Sequence, residues 1–121
     1  MAGVSLGRVL LVDDDEELRA TVGAVLRAEG FEVLEARNGL HALQQLMRTP
    51  LPGAILLDLS MPVMTGFEFL DLKSQDPRIR AIPVIGVTAY DKVSVIPGVV
   101  AVVRKPFDLS QLVQVLRGVM A

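Results

Sequence analysis

The chain has 121 residues, 12 basic and 14 acidic side chains, a formal net charge of −2 and 51% hydrophobic residues. This suits one domain with a real core, argues against disorder and gives no support for a nucleic-acid surface. Without Cys, and with His41 as the one histidine, there is no disulfide, thiolate nucleophile, zinc–thiolate site or histidine-based metal centre to expect.

The amino terminus lacks the length and cleavage pattern of a signal peptide, and no apolar run is long enough to span a bilayer. Residues 8–12, RVLLV, read as a buried strand. Leu18, Val22, Val25 and Leu26 then fall on one helix face, and Gly30 offers its stop. Residues 31–36, FEVLEA, alternate like a half-exposed strand. Asn38 offers an N-cap to a helix carrying Leu40, Leu43 and Met47, which Pro50 and Pro52 bar from continuing. Residues 54–58, AILLD, are apolar until they end in a carboxylate. After the loop LSMPVMTG comes a helix with Phe67, Phe69, Leu70 and Leu72. Residues 83–88 and 99–103 read as strands four and five, and the last helix carries Leu109, Leu112, Val113 and Leu116. Continuous apolar strands separated by helices predict an α/β, doubly wound parallel sheet in a single domain over residues 1–121.

In such sheets ligands bind beyond the carboxyl ends of the strands. Strand one ends in Asp13 and Asp14, strand three in Asp58, strand four in Thr88, and strand five in Arg104 and Lys105. Grouped carboxylates make the hard oxygen site that Mg²⁺ prefers. A lysine supplies a compact positive charge for a phosphoryl oxygen, a threonine hydroxyl can donate one more hydrogen bond, and an aspartate can be the nucleophile that forms an acyl phosphate. The edge reads as a Mg²⁺-assisted phosphoryl acceptor with Asp58 as the attacked position.

The motifs LLVDDD, LLDLSMPVMTG, VIGVTA and VVRKPF, in that order, resemble the receiver domain of a bacterial two-component response regulator of the chemotaxis-regulator type. The resemblance implies five strands in the order 2-1-3-4-5, with Asp58 as phosphoacceptor. It implies Mg²⁺ held by Asp14 directly, by Asp13 largely through water, by Asp58 and by the Ser60 carbonyl. Lys105 would pair with the phosphoryl group, and Thr88 would move toward it and carry the signal. Lys105–Pro106 matches a bond that is usually cis in the family, against about 5–6% of X–Pro bonds in general. Gly66 would serve the tight turn into the third helix. The resemblance further implies a cytoplasmic regulator that is not an enzyme beyond its own phosphorylation and dephosphorylation. Its partners would be a histidine kinase or phosphotransfer protein and a downstream protein or output domain, with no nucleic acid or membrane bound and no output domain in this chain. Ser60 and Tyr90 flank the site and tune the phosphoryl lifetime in a direction left open.

Blander readings apply to several residues. Asp13 could cap the first helix, but two adjacent carboxylates exceed what a cap needs, which favours metal for Asp13 and Asp14. Asp15, Glu16 and Glu17 fit the first turn of a helix, where acids complement the dipole, and Asp14 and Glu17 have capping-box spacing. Arg104 should point outward, His41 should be exposed, and Met61 and Met64 should pack.

Two departures from the family stand out. Thr88 and Lys105 are 17 positions apart, several fewer than usual, so the fourth helix, due between strands four and five, is expected to be one turn or absent. Val93, Val95 and Ile96 are weak helix formers there, and Pro97 disfavours helix at Ile96. Val93, Val95, Ile96 and Val99 either fold inward or leave a patch for a partner, including a homodimer through residues 91–103. At Val102 the family often has an aromatic switch, which valine cannot provide, so either the loop around Tyr90 reads the shift of Thr88 or the switch is muted. Two other functions compete with the phosphoacceptor reading. One is a phosphorylation-independent pseudo-receiver that binds protein. The other is a small haloacid-dehalogenase-type phosphatase using Asp13-x-Asp15, which leaves Asp58 unexplained.

Overall fold

A computed structural model of the protein describes residues 4–48, 50–61, 63–89 and 96–120. The elements run β1 (Val4–Val12), α1 (Glu16–Ala28), β2 (Glu32–Ala36), α2 (Gly39–Gln45), β3 (Leu51–Asp58), α3 (Gly66–Ser74), β4 (Val84–Thr88), β5 (Ala101–Arg104) and α4 (Leu109–Met120). The strands form one parallel sheet in the order β2-β1-β3-β4-β5, as the resemblance implied.

Alternation along the strands divides the core into two layers. Leu10 and Val12 of β1 and Ile55 and Leu57 of β3 face α2 and α3, where they meet Ala42, Leu46, Phe69 and Leu70. Val9, Leu11, Ala54 and Leu56 face α1 and α4, where they meet Val22, Leu26, Leu112, Val113 and Leu116. Both faces of β1 over residues 9–12 and of β3 over residues 54–57 are therefore apolar, and in these stretches charge is left to the carboxyl ends.

The helix boundaries follow local chemistry. Asp15, not Asp13 or Asp14, is the N-cap of α1, and its side chain accepts the Leu18 N–H. The Asp14–Glu17 capping box does not form, because the helix starts one residue later than that spacing needs. Glu16 and Glu17 occupy the first turn. Gly30, at φ +98°, ends α1. Its N–H bonds to Arg27 O and the Phe31 N–H to Leu26 O, at 3.1 and 3.0 Å, which together make a Schellman closure.

Asn38 caps α2 as expected, but the helix stops at Gln45 and buries Gly39 and Ala42, followed by Leu46. Leu40 and Met47 are exposed. The cap sets the helical phase, and that phase turns Leu40 outward. In α3, Thr65 and Glu68 form a full capping box, and Phe69 and Leu70 are buried while Phe67 and Leu72 face solvent. His41 is half-buried rather than exposed, and its Nδ1 accepts the Arg37 N–H. Burial holds its pKa below the ordinary value, helped by the charges of Arg37, Arg19 and Arg48.

The connection from β4 to β5 carries no helix among its described residues, 89 and 96–100. Residues 90–95, on which the expectation of a shortened or absent helix mainly rests, lie outside the described residues, as does Tyr90. Ile96 to Val99 makes a turn with Pro97 second and Gly98, at φ +85°, third, closed by Val99 N–H to Ile96 O at 3.1 Å. This is the Pro–Gly signature of a type II turn. Ile96 is buried and Val99 packs against the α2–α3 layer, so these two residues fold inward. No described helix is long and apolar enough to cross a membrane.

Candidate functional site

β1 hands its chain to the site through a short series of bonds. The Asp13 N–H donates to Ala36 O at 3.1 Å, which extends the β1–β2 ladder by one residue. The Asp13 carboxylate then accepts the Asp15 N–H through Oδ1 at 2.9 Å and so turns the chain into α1. Asp14, between them, is exposed. Next door, Asp58 ends β3 opposite Val87 of β4, and its Oδ1 accepts the Ser60 N–H at 3.0 Å. Asp13 and Asp58 are only 5% and 4% exposed.

Lys105 follows β5 and reaches both acids. Its Nζ lies 3.4 Å from Asp13 Oδ2 and 3.4 Å from Asp58 Oδ2. The Lys105 N–H donates to Thr88 O at 2.7 Å, fixing the lysine backbone to the end of β4. The Lys105–Pro106 bond is cis, as expected. Thr88 is buried one residue beyond Val87, the register partner of Asp58, and alternation along β4 puts it on the Val84 face. Arg104 is exposed.

Asp13, Asp14 and Asp58 can each bring one carboxylate oxygen within 4.8 Å of the others. Three carboxylates against one ammonium leave negative charge uncompensated in a largely buried place. Burial pushes the Asp58 carboxyl up to about 6. The Ser60 N–H pulls it down, Asp13 pushes it up, and Lys105 pulls it down. Burial also works against the Lys105 ammonium, but Asp13 and Asp58 outweigh it and hold Lys105 above its ordinary value. An all-oxygen cluster with surplus negative charge fits a hard divalent cation.

Gly66 acts differently from the expectation. Its φ is not in the left-handed region, and it is the first residue of α3 rather than a turn residue. A Cβ there would sit 2.6 Å from Leu59 Cα and 2.8 Å from Asp58 O, so glycine is needed for close backbone approach. The left-handed residue of this loop is Val63, at φ 73°. Met61 is buried and Met64 packs on Gly39, where an added Cβ would meet Met64 Cγ at 2.8 Å.

Arg19 was missed by the sequence reading. It bonds to the Asp13 backbone from the first turns of α1. Its signal was a basic residue two positions past the acidic run, beside an otherwise apolar helix face. Asp15, the second acid of a phosphatase-type Asp-x-Asp pair, is engaged as a helix cap, which disfavours that reading.

Comparison with known proteins agrees with this geometry. Residues 9–117 match the family model described as "Response regulator receiver domain". The chain is 34% identical over 111 residues to the sporulation initiation phosphotransferase F of Bacillus subtilis, covering 87% of this chain and 86% of that protein. It is 38% identical over 82 residues to the polar-differentiation response regulator DivK of Brucella anthropi, covering 68% and 66%. It is 38% identical over 117 residues to the transcriptional regulatory protein PrrA of Mycobacterium leprae, covering 92% of this chain but 48% of that protein. Among solved structures, chemotaxis response regulator CheY4 of Vibrio cholerae superposes with a TM-score of 0.84 at 29% identity, covering 95% and 99%. A CheY-like receiver domain protein from Methanospirillum hungatei gives 0.83 at 28%, covering 96% and 95%. Matched over nearly its whole length, the chain belongs to the response regulator receiver family.

Proposed function

We propose that the chain is a phosphoacceptor in two-component signalling and that Asp58 takes the phosphoryl group. The observation that carries this is the meeting of Asp13, Asp14, Asp58 and Lys105 at one strand edge, with more negative charge than the lysine offsets. Asp13, Asp14, Asp58 and the Ser60 carbonyl would hold Mg²⁺, which when bound neutralises charge on the carboxylates and the phosphoryl oxygens.

The remaining work falls to the chain itself. A carboxylate oxygen of Asp58 attacks phosphorus while the P–N bond of a donor phosphohistidine breaks. The imidazole leaves with the electron pair of that bond, and an acyl phosphate forms. Lys105 is close enough to Asp58 to pair with the transferred group. The Thr88 hydroxyl offers a further donor once the group is in place. Water then attacks phosphorus, releasing inorganic phosphate and restoring the carboxylate.

A histidine kinase or phosphotransfer protein as donor, and a protein or output domain as receiver of the signal, belong to the same reading. So do a cytoplasmic place of action and self-association through residues 91–103. The test is labelling by acetyl phosphate with and without Mg²⁺. Labelling that requires Mg²⁺ and is lost in Asp58→Ala is the expected result, and a parent protein that takes no label overturns the reading.

A further inference from the structure

Every polar group of Asp13 except one carboxylate oxygen is committed away from the other acids. Its N–H goes to β2 at Ala36 O, and its Oδ1 takes the Asp15 N–H. Its carbonyl takes a charge-assisted bond from Arg19 Nη1 at 2.7 Å. Oδ2 remains, and it faces Lys105. The Asp13 carbonyl belongs to the peptide unit that leads into Asp14, so whatever holds this oxygen also sets where the Asp14 side chain starts.

Arg19 is itself held. Its Nε pairs with Glu35 Oε1 at 3.1 Å, and its side chain is 16% exposed. Glu35 is fixed in turn: Oε2 accepts from Arg27 Nη2 at 3.0 Å and its backbone carbonyl accepts from Gln45 Nε2 at 2.7 Å. The guanidinium fork thus spans from α1 to β2 and to the β1 terminus, and it shares Glu35 with Arg27. Its bond to the Asp13 carbonyl orients the acidic pair, and the planar fork that reaches Glu35 and that carbonyl together is what a lysine cannot reproduce.

We infer that Arg19, braced by Glu35, is a positioning residue that sets the Asp13–Asp14 pair for a divalent cation. The inference rests on the proposed Mg²⁺-dependent phosphoacceptor role. Groups that orient metal ligands without touching the metal commonly change affinity by about 10–100-fold.

The experiment is Mg²⁺ titration calorimetry on the parent, Arg19→Met, Arg19→Lys and Glu35→Gln, with amide hydrogen exchange on the metal-free proteins. Arg19→Met should weaken Mg²⁺ binding about tenfold, and Arg19→Lys should recover little of it. Glu35→Gln, which leaves Arg19 in place and weakens its brace from an ion pair to a neutral hydrogen bond, should fall between parent and Arg19→Met. Exchange should quicken at Asp13, Asp14 and Asp15 ahead of the β1 core. Labelling at saturating Mg²⁺ should return toward the parent rate, because the loss is in binding.

Should Arg19→Met bind Mg²⁺ like the parent while melting lower, the arginine is only structural and the inference fails. Full recovery in Arg19→Lys overturns orientation in favour of charge. Glu35→Gln guards against misfolding of the arginine variants, since unchanged affinity there removes the bracing role. A parent that binds no Mg²⁺ overturns both this inference and the phosphoacceptor reading. A parent that binds and labels while all variants match it overturns the inference alone.

Discussion

Asp13 at the end of β1 and Val102 in β5 belong to the same sheet, yet their surroundings differ in kind. Around Asp13 each backbone and side-chain group has an assigned partner, and the Lys105 ammonium lies 3.4 Å from both Asp13 and Asp58. Around Val102 the apolar side chains are open: Val100 is 62% exposed and Val102 36%. Phe67, Leu70, Asp71 and Ser74 of α3 line a groove of about 360 Å³ with Ile96, Pro97 and Gly98. The central strands, packed on both faces, can afford to define a precise site at their ends. The β5 flank keeps its apolar surface available.

The largest break should come from Gly66→Ala. The new Cβ would overlap the Asp58–Leu59 backbone, and Leu59 Cα and Asp58 O cannot rotate away as a side chain could. Overpacking of this kind costs about 1–3 kcal/mol, and here it also displaces the segment that carries Asp58. Urea denaturation should show that loss together with reduced acetyl phosphate labelling. Stability and labelling equal to the parent would mean that the α3 start is not braced on the β3 end.

A second variant isolates the charge of the site. In metal-free protein, Asp58→Asn removes a carboxylate that burial disfavours. The folded-state value of about 6 lies above the ordinary 3.8, so the folded protein holds the Asp58 proton more tightly than the unfolded chain. The parent therefore loses relative stability as pH rises from about 4 through 6, and the cost is fully present above 6. The variant should be more stable by on the order of 1–2 kcal/mol at pH 7.5, and the gap should close near pH 4. Melting curves of both proteins across that range check it. A gap independent of pH would show that packing, not charge, separates them.

The smallest effect is expected on the other flank. Val102→Thr exchanges one β-branched, strand-compatible side chain for another on an open face, and should change stability by no more than about 0.5 kcal/mol. A large loss there would show that the β5 face is covered in solution and would erase the contrast with the acidic edge.

The same contrast explains what could be read from the sequence. Continuous apolar runs ending in Asp13, Asp58 and Lys105 identify a doubly wound sheet and the edge where its charged side chains meet, because strands buried on both faces leave their ends to carry charge. The Asn38 cap was legible for the same kind of reason, since one local bond decides it. Helix faces were less legible. Leu40, Met47, Phe67 and Leu72 match an apolar spacing, but Leu40, Phe67 and Leu72 fall on the outer faces of their helices and Met47 lies beyond the end of α2. Glycine at 66 looked like a turn signal, since sequence cannot separate a need for unusual backbone angles from a need for empty space. Arg19 could not be found from pattern alone. Its partners, Asp13 O and Glu35, come together only when β1 and β2 pair beneath α1.

The two core layers have a consequence for how such a protein can vary. Successive residues of β1, such as Leu10 and Leu11, report to different layers across one sheet thickness. Changes on the two sides touch few common partners and should combine nearly independently. A lineage can then remodel the α2–α3 side while leaving the α1–α4 side as inherited. The acidic edge lies on the seam between them, where changes confined to either layer need not reach it.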